Sequence, residues 1–186
     1  MAGPAAGIIL PKPLNDSAKA GIRREILAMS TLVSEDDFWI QDRPFLLVLG
    51  EDYEAEPDED EAADLERIIG WKPQDEVNFV AMGDGRQDHL YLGQVCLHFV
   101  KKLGGLVDLG GALKPPVPAV VPSWAFGTHD HWSEYEPYFQ KMVKGLPGRV
   151  YTVPYLKANG DEWVYHVADA EFLKAWLDHP NFHMVK

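Results

Sequence analysis

A single cysteine, Cys96, is all that this chain of 186 residues carries. That excludes an internal disulfide framework and a cysteine-based zinc site. Long apolar runs are equally scarce. No stretch approaches about 18 uninterrupted apolar residues, so no segment reads as a membrane-spanning helix. The opening residues lack a basic start, and Pro4, Pro11 and Pro13 interrupt their apolar run, a poor pattern for a secretory signal. The expectation is a cytoplasmic protein in a reducing compartment. Basic residues are missing most conspicuously from Glu51 to Glu66, where no lysine, arginine or histidine occurs.

Carboxylates fill that gap. Ten of these sixteen residues are acidic: Glu51, Asp52, Glu54, Glu56, Asp58, Glu59, Asp60, Glu61, Asp64 and Glu66. The formal net charge is −12, so everything outside this run sums to only −2. A local field of one sign attracts a basic partner and repels nucleic acid and anionic membrane. First-turn carboxylates favour the helix dipole, by about 0.3–1 kcal/mol each, but that explains only part of the run. Asp60 and Asp64 are an i,i+4 pair of like charge and repel each other. The run therefore reads as a partner-binding surface or a solubilising loop. A calcium loop fits poorly, because no glycine falls inside it.

With 46% hydrophobic residues the chain has ample material for a core. The pattern predicts a single α+β domain over 1–186, with a mixed sheet, packed helices and a C-terminal antiparallel hairpin. Strands are expected at Gly7–Leu10, Phe38–Ile40, Phe45–Leu49, Val77–Met82 and Leu106–Leu109. Helices are expected from Asn15 or Asp16 to Met29, over the second half of an acidic loop and short helix at 51–70, and from an Asp84/Gln87 capping box to Leu103. Ala62, Leu65, Ile68 and Ile69 should face inward, with Gly70 as the stop. Residues 114–122 form a proline-rich connector. Ser133 opens a helix to Lys144. Arg149–Val153 and Trp163–Val167 pair around a turn at Asn159-Gly160, Asp169 caps a helix to His179, and Phe182–Val185 reads as a last edge strand.

No catalytic residue, metal ligand set or cofactor motif stands out. His129-Asp130-His131, with Glu134 and His166 as possible recruits, is the nearest approach to a metal site and the basis of a small-metalloenzyme alternative. His179 and His183 are four apart, but Pro180 breaks the helical face that a zinc pair needs. Gly83-Asp84-Gly85-Arg86 lacks the lysine of a phosphate loop and reads as a turn with a helix cap. Cys96 sits at a core position with no activating base. Among Trp124, Phe126, Trp132, Tyr135, Tyr138 and Phe139, most read as core, but Trp132 and Tyr135 are candidates for an interface because such side chains dominate binding hot spots.

Two stretches carry a resemblance. One is Leu103-Gly104-Gly105-Leu106-Val107-Asp108-Leu109-Gly110-Gly111-Ala112-Leu113. The other begins at Val150-Tyr151-Thr152-Val153-Pro154-Tyr155 and continues from Trp163 through Trp176-Leu177-Asp178-His179-Pro180-Asn181-Phe182-His183-Met184 to Lys186. They resemble a bacterial family of unknown function whose members look like the immunity proteins encoded beside polymorphic toxins. The resemblance spans roughly Pro44 to Lys186 and is strongest at the C-terminal end. It implies a cytoplasmic protein that binds and blocks one cognate toxin, and it brings no established catalytic residue to carry over; no cofactor is expected. A non-toxin adaptor or regulatory binding module is the other binding-class reading. Gly110-Gly111 then enters as a bend or bulge, and His183-Met184 as part of a terminal strand.

Overall fold

A computed structural model describes residues 3–49, 59–114, 132–157 and 160–184. Among these residues eight strands form one sheet: β1 (Ala5–Leu10), β2 (Leu32–Ser34), β3 (Asp37–Ile40), β4 (Arg43–Leu49), β5 (Asp75–Ala81), β6 (Leu106–Gly110), β7 (Val150–Leu156) and β8 (Glu162–Ala168). Their spatial order is β2-β3-β4-β5-β1-β6-β8-β7. Five helices among the described residues are interleaved with them: α1 (Asp16–Met29), α2 (Glu59–Ile69), α3 (Arg86–Leu103), α4 (Trp132–Val143) and α5 (Ala170–Leu177). The protein is α+β, as its pattern predicts. The sheet is not mixed, however: every pairing is antiparallel. Periodicity shows which residues are strands but not how they pair, and the helical connections here return each chain segment in the opposite direction to its new neighbour.

The main core lies on one face. Ile8, Leu47, Phe79 and Leu109 point there from four strands, against Ile22 and Ile26 of α1, Leu92, Cys96 and Phe99 of α3, Phe139 of α4 and Phe172 of α5. Phe79 stacks on Phe99 at 5.1 Å and meets Phe38 edge-on at 6.3 Å. Buried Cys96 is one of these core side chains, and burial pushes its thiol pKa up, so it is inert as a nucleophile.

Several local expectations need correction. The cap of α3 is Gly85 rather than Asp84: the Gly85 N–H donates to the Asp88 carboxylate at 2.8 Å. Asp88 is only 2% exposed and also receives Arg43 at 2.7 Å, so it ties the start of α3 to β4. Helix α5 ends at Leu177, before the expected His179. Phe182–Met184 pair with no strand, because the tail folds back on α3 instead. The Met184 N–H donates to His89 Nδ1 at 3.0 Å, and Phe182 lies where a side chain on Gly93 would otherwise stand. The three-residue strand β2 was too short to read from the sequence. The acidic residues 51–58 and most of the proline-rich connector, with His129, His131, Trp124 and Phe126, lie outside the described residues.

One turn gives a sharp test. Gly105 joins α3 to β6 with φ +90, and a Cβ there would collide with the Ile9 carbonyl oxygen. A backbone atom inside a sheet cannot swing aside as a side-chain tip can. Gly105→Ala should therefore cost about 2–3 kcal/mol, combining left-handed strain with the displaced strand. Gly104→Ala, with φ +78 and nothing near its Cβ, should cost less, and urea midpoints of the two variants compare them directly.

Candidate functional site

Alternation sends every second strand residue to the other side of the sheet. Those positions are Leu32, Trp39, Pro44, Leu46, Val48, Asn78, Val80, Gly7, Ile9, Leu106, Tyr165, Val167 and their register neighbours. Among the described residues no strand places a lysine or arginine there, whereas Asp37, Glu76 and Asp108 do face that side.

Helix α2 covers one half of this second face. Leu65 and Ile69 pack with Ile9, Leu106, Val153 and Val167, and Ile68, Trp71, Tyr151 and Tyr165 border them. The inward stripe therefore stands as its spacing predicts, with Leu65 and Ile69 buried and Ala62 and Ile68 half-buried. Gly70 closes the helix at φ +84. Of the acidic residues, Glu61 is half-buried, while Asp64 pairs with Arg67 at 2.6 Å.

Along the margin of α2 runs a polar seam. Gly7 has no side chain, and the Glu76 carboxylate occupies the space a Cβ would take, with Asn78 beside it. Asn78 hydrogen-bonds Glu76, yet burial still raises the Glu76 pKa. Across Gly7 lies Asp108, its Oδ1 accepting the Gly110 N–H at 2.7 Å where the pairing with β8 shifts register. The expected bend at Gly110-Gly111 is thus a bulge. Burial, with the nearby negative charges of Glu76 and Glu61, raises the Asp108 carboxyl to about 7. Glu61 reaches the Tyr165 hydroxyl, and burial together with these carboxylates pushes that phenol up. Sequence reasoning missed this seam. Its signal was a lone aspartate in the apolar run Leu106-Val107-Asp108-Leu109.

The other half, over β2 to β5, has no helix on it among the described residues. Trp39, Pro44, Leu46, Val48 and Val80 are half-buried there, and Leu32 is 57% exposed. Register sets them side by side: Leu32 opposite Trp39, Trp39 opposite Pro44, and Leu46 opposite Val80.

The aromatic candidates lie elsewhere. Tyr135 is 4% exposed, and Trp132 packs against Phe139, Trp163 and His166, beneath α4 on the main-core side. Lys114 sits over the Tyr135 ring at 4.6 Å. The structure therefore does not bring Trp132 and Tyr135 together with α2. A groove of about 240 Å³ opens between α1 and β2–β4, lined by Arg23, Leu27, Val33, Asp36 and Phe38, with Arg23 paired to Asp36 at 2.8 Å. Among the described residues no three His, Cys, Asp or Glu side chains gather as a metal site, and no helix is long and apolar enough to cross a membrane. His179 stacks on Trp176 at 4.7 Å, and His183 Nδ1 approaches the Asn181 carbonyl at 2.9 Å, so both belong to the C-terminal turn.

His166 is 1% exposed, and neither ring nitrogen has a hydrogen-bond partner of good geometry. Burial pulls its pKa down to about 4, opposed weakly by the Gly110 backbone. Its neutral form is favoured by folding, so this contribution is present above pH 6.5 and is lost as pH falls toward 4. Asp108 runs the other way. Its protonated form is favoured by folding, so that contribution is present below pH 3.8 and is lost as pH rises through about 7. Between pH 4 and 6.5 the two slopes oppose each other. Asp108→Asn should expose the histidine slope, with stability rising by at most about 1.4 kcal/mol per pH unit across that window. Urea midpoints from pH 4 to 7, with His166→Phe as the reciprocal variant, measure both.

Comparison with curated proteins and with solved structures finds no match. The match to a family model extends beyond the stretch that carried the sequence resemblance, and the family's description assigns no activity. The chain belongs to the family of unknown function DUF6368, whose model matches residues 2–186.

Proposed function

We propose that this protein acts by binding, and that it captures a protein with a basic surface. One observation carries the reading: the carboxylates from Glu51 to Glu66 account for ten of the negative charges behind a net −12. Two features support it. The second half of the run is anchored on the sheet as α2, and among the described residues the outward strand positions around it carry no lysine or arginine. A fixed acidic surface speeds encounter with a cationic partner and disfavours nucleic acid.

The resemblance to immunity proteins supplies the partner's class. In this reading the protein is cytoplasmic, catalyses nothing, needs no cofactor, and neutralises a cognate bacterial toxin. A toxin acting on nucleic acid or nucleotides has reason to carry a basic cleft, which such a surface would occupy. The test is co-expression with the product of the neighbouring reading frame. Rescue of growth, together with co-purification of the two chains, is the expected result. Growth arrest that this chain does not relieve, with no complex on purification, would remove the toxin from the proposal.

A further inference from the structure

We propose that the open half of the second sheet face, centred on Trp39, Leu46 and Val48, is where the partner seats. The surface fits a protein contact that is apolar at its centre and ringed by lysine and arginine. The inference rests on the binding function proposed above and assigns it a location. Four adjacent strands, β2 to β5, present Leu32, Trp39, Pro44, Leu46, Val48 and Val80 on this face, and no described helix covers them. A contiguous apolar surface of this kind marks an interaction site more often than scattered exposed residues do. Tryptophan is also the residue most enriched among binding hot spots.

Charge chooses among occupants. On this half the outward strand positions among the described residues include exposed Asp37 and no lysine or arginine, with Glu76 lying at the border in the seam beside α2. Strand β4 ends at Leu49, and the acidic run starts at Glu51, so the apolar surface and the densest charge are neighbours along the chain. A second copy of this chain would bring another −12 against the same acidic border, which disfavours self-docking. A protein interface usually has an apolar centre and a polar rim, and the charges that border this face in the fold and along the chain, Asp37 and the run that begins two residues after β4, are negative. The partner's rim is therefore positive.

Photo-crosslinking in the cells that encode this chain tests the placement. A benzophenone amino acid replaces Leu32 on the open face, Tyr53 in the acidic run, or Leu27 on α1 as a control. Captured proteins are identified by mass spectrometry. Positions 32 and 53 should capture the same protein, one with a basic surface, and position 27 should not. Leu46→Glu should lower both captures by about tenfold or more, the scale of one hot-spot contact. This substitution adds negative charge, so attraction by charge alone predicts no loss. A thermal midpoint confirms that the variant is folded; if it is not, Leu32→Asp at the exposed edge replaces it, read from position 53.

Capture of a basic protein from position 53 but not from 32, or capture unaffected by the face variants, would overturn the placement and leave the binding function standing. Capture of this same chain from position 32 would make the face a self-association surface. Silence at both positions would sink the placement and the basic-partner reading together.

Discussion

Replacing Trp176 by alanine should cost about 3–5 kcal/mol, the range for truncating a large buried aromatic side chain. Trp176 is 0% exposed and sits where three parts of the chain meet. It projects from α5 into the core shared with α3, His179 stacks on it at 4.7 Å, and Phe182 crosses it at 6.4 Å. Its indole N–H donates to the His183 carbonyl at 3.4 Å, a long bond that nonetheless fixes the C-terminal turn. Truncation therefore leaves a cavity and also loosens the tail that Met184 ties to His89. At roughly 2–4 °C per kcal/mol for a chain of this size, the thermal midpoint should fall by about 6–20 °C. Trp176→Phe retains much of the packing and should fall less. An unchanged midpoint in the alanine variant would mean that the side chain is exposed and the α5 face misassigned.

That face was legible because Phe172, Leu173 and Trp176 recur at helical spacing behind the capping Asp169, whose carboxylate accepts the Phe172 N–H at 2.8 Å. Long amphipathic α3 and the β7–β8 pair were legible for the same reason, since local pattern and tertiary burial agree. The open face was half legible. Phe45-Leu46-Leu47-Val48-Leu49 is apolar throughout instead of alternating, so β4 has two apolar sides, but a sequence cannot say whether the second is covered. Pairing direction, the register that sets Asn78 and Asp108 on either side of Gly7, and the return of the tail onto α3 are long-range facts. No local spacing encodes them. The surroundings of the histidines are set at long range too. His166 reads from sequence as a possible metal recruit, and the alternation of β8 puts it under Trp132 and Phe139, where burial lowers its pKa.

The partner's association rate should depend steeply on four side chains. Replacing Asp58, Glu59, Asp60 and Glu61 by Asn and Gln removes four of the run's ten charges with little change of shape. The rate constant for association should fall by about 10- to 100-fold at 0.01 M salt, where the Debye length is about 30 Å. At 0.15 M, where it is about 8 Å, wild type and variant should converge, because long-range attraction is screened in both. Dissociation should change less than association, since peripheral charges mainly tune encounter while buried apolar contacts set residence time. Glu61 needs its own control, because it also reaches Tyr165 and its charge helps hold the Asp108 pKa up. Gln keeps a hydrogen-bonding oxygen at that position, and Glu61→Gln alone separates any loosening of α2 from lost steering. Helicity must also match wild type, since first-turn carboxylates support a helix by about 0.3–1 kcal/mol each, partly offset here by relief of their mutual repulsion. Stopped-flow association measured across salt decides the matter. Wild-type kinetics for the folded quadruple variant at low salt would reduce the acidic run to a solubilising segment.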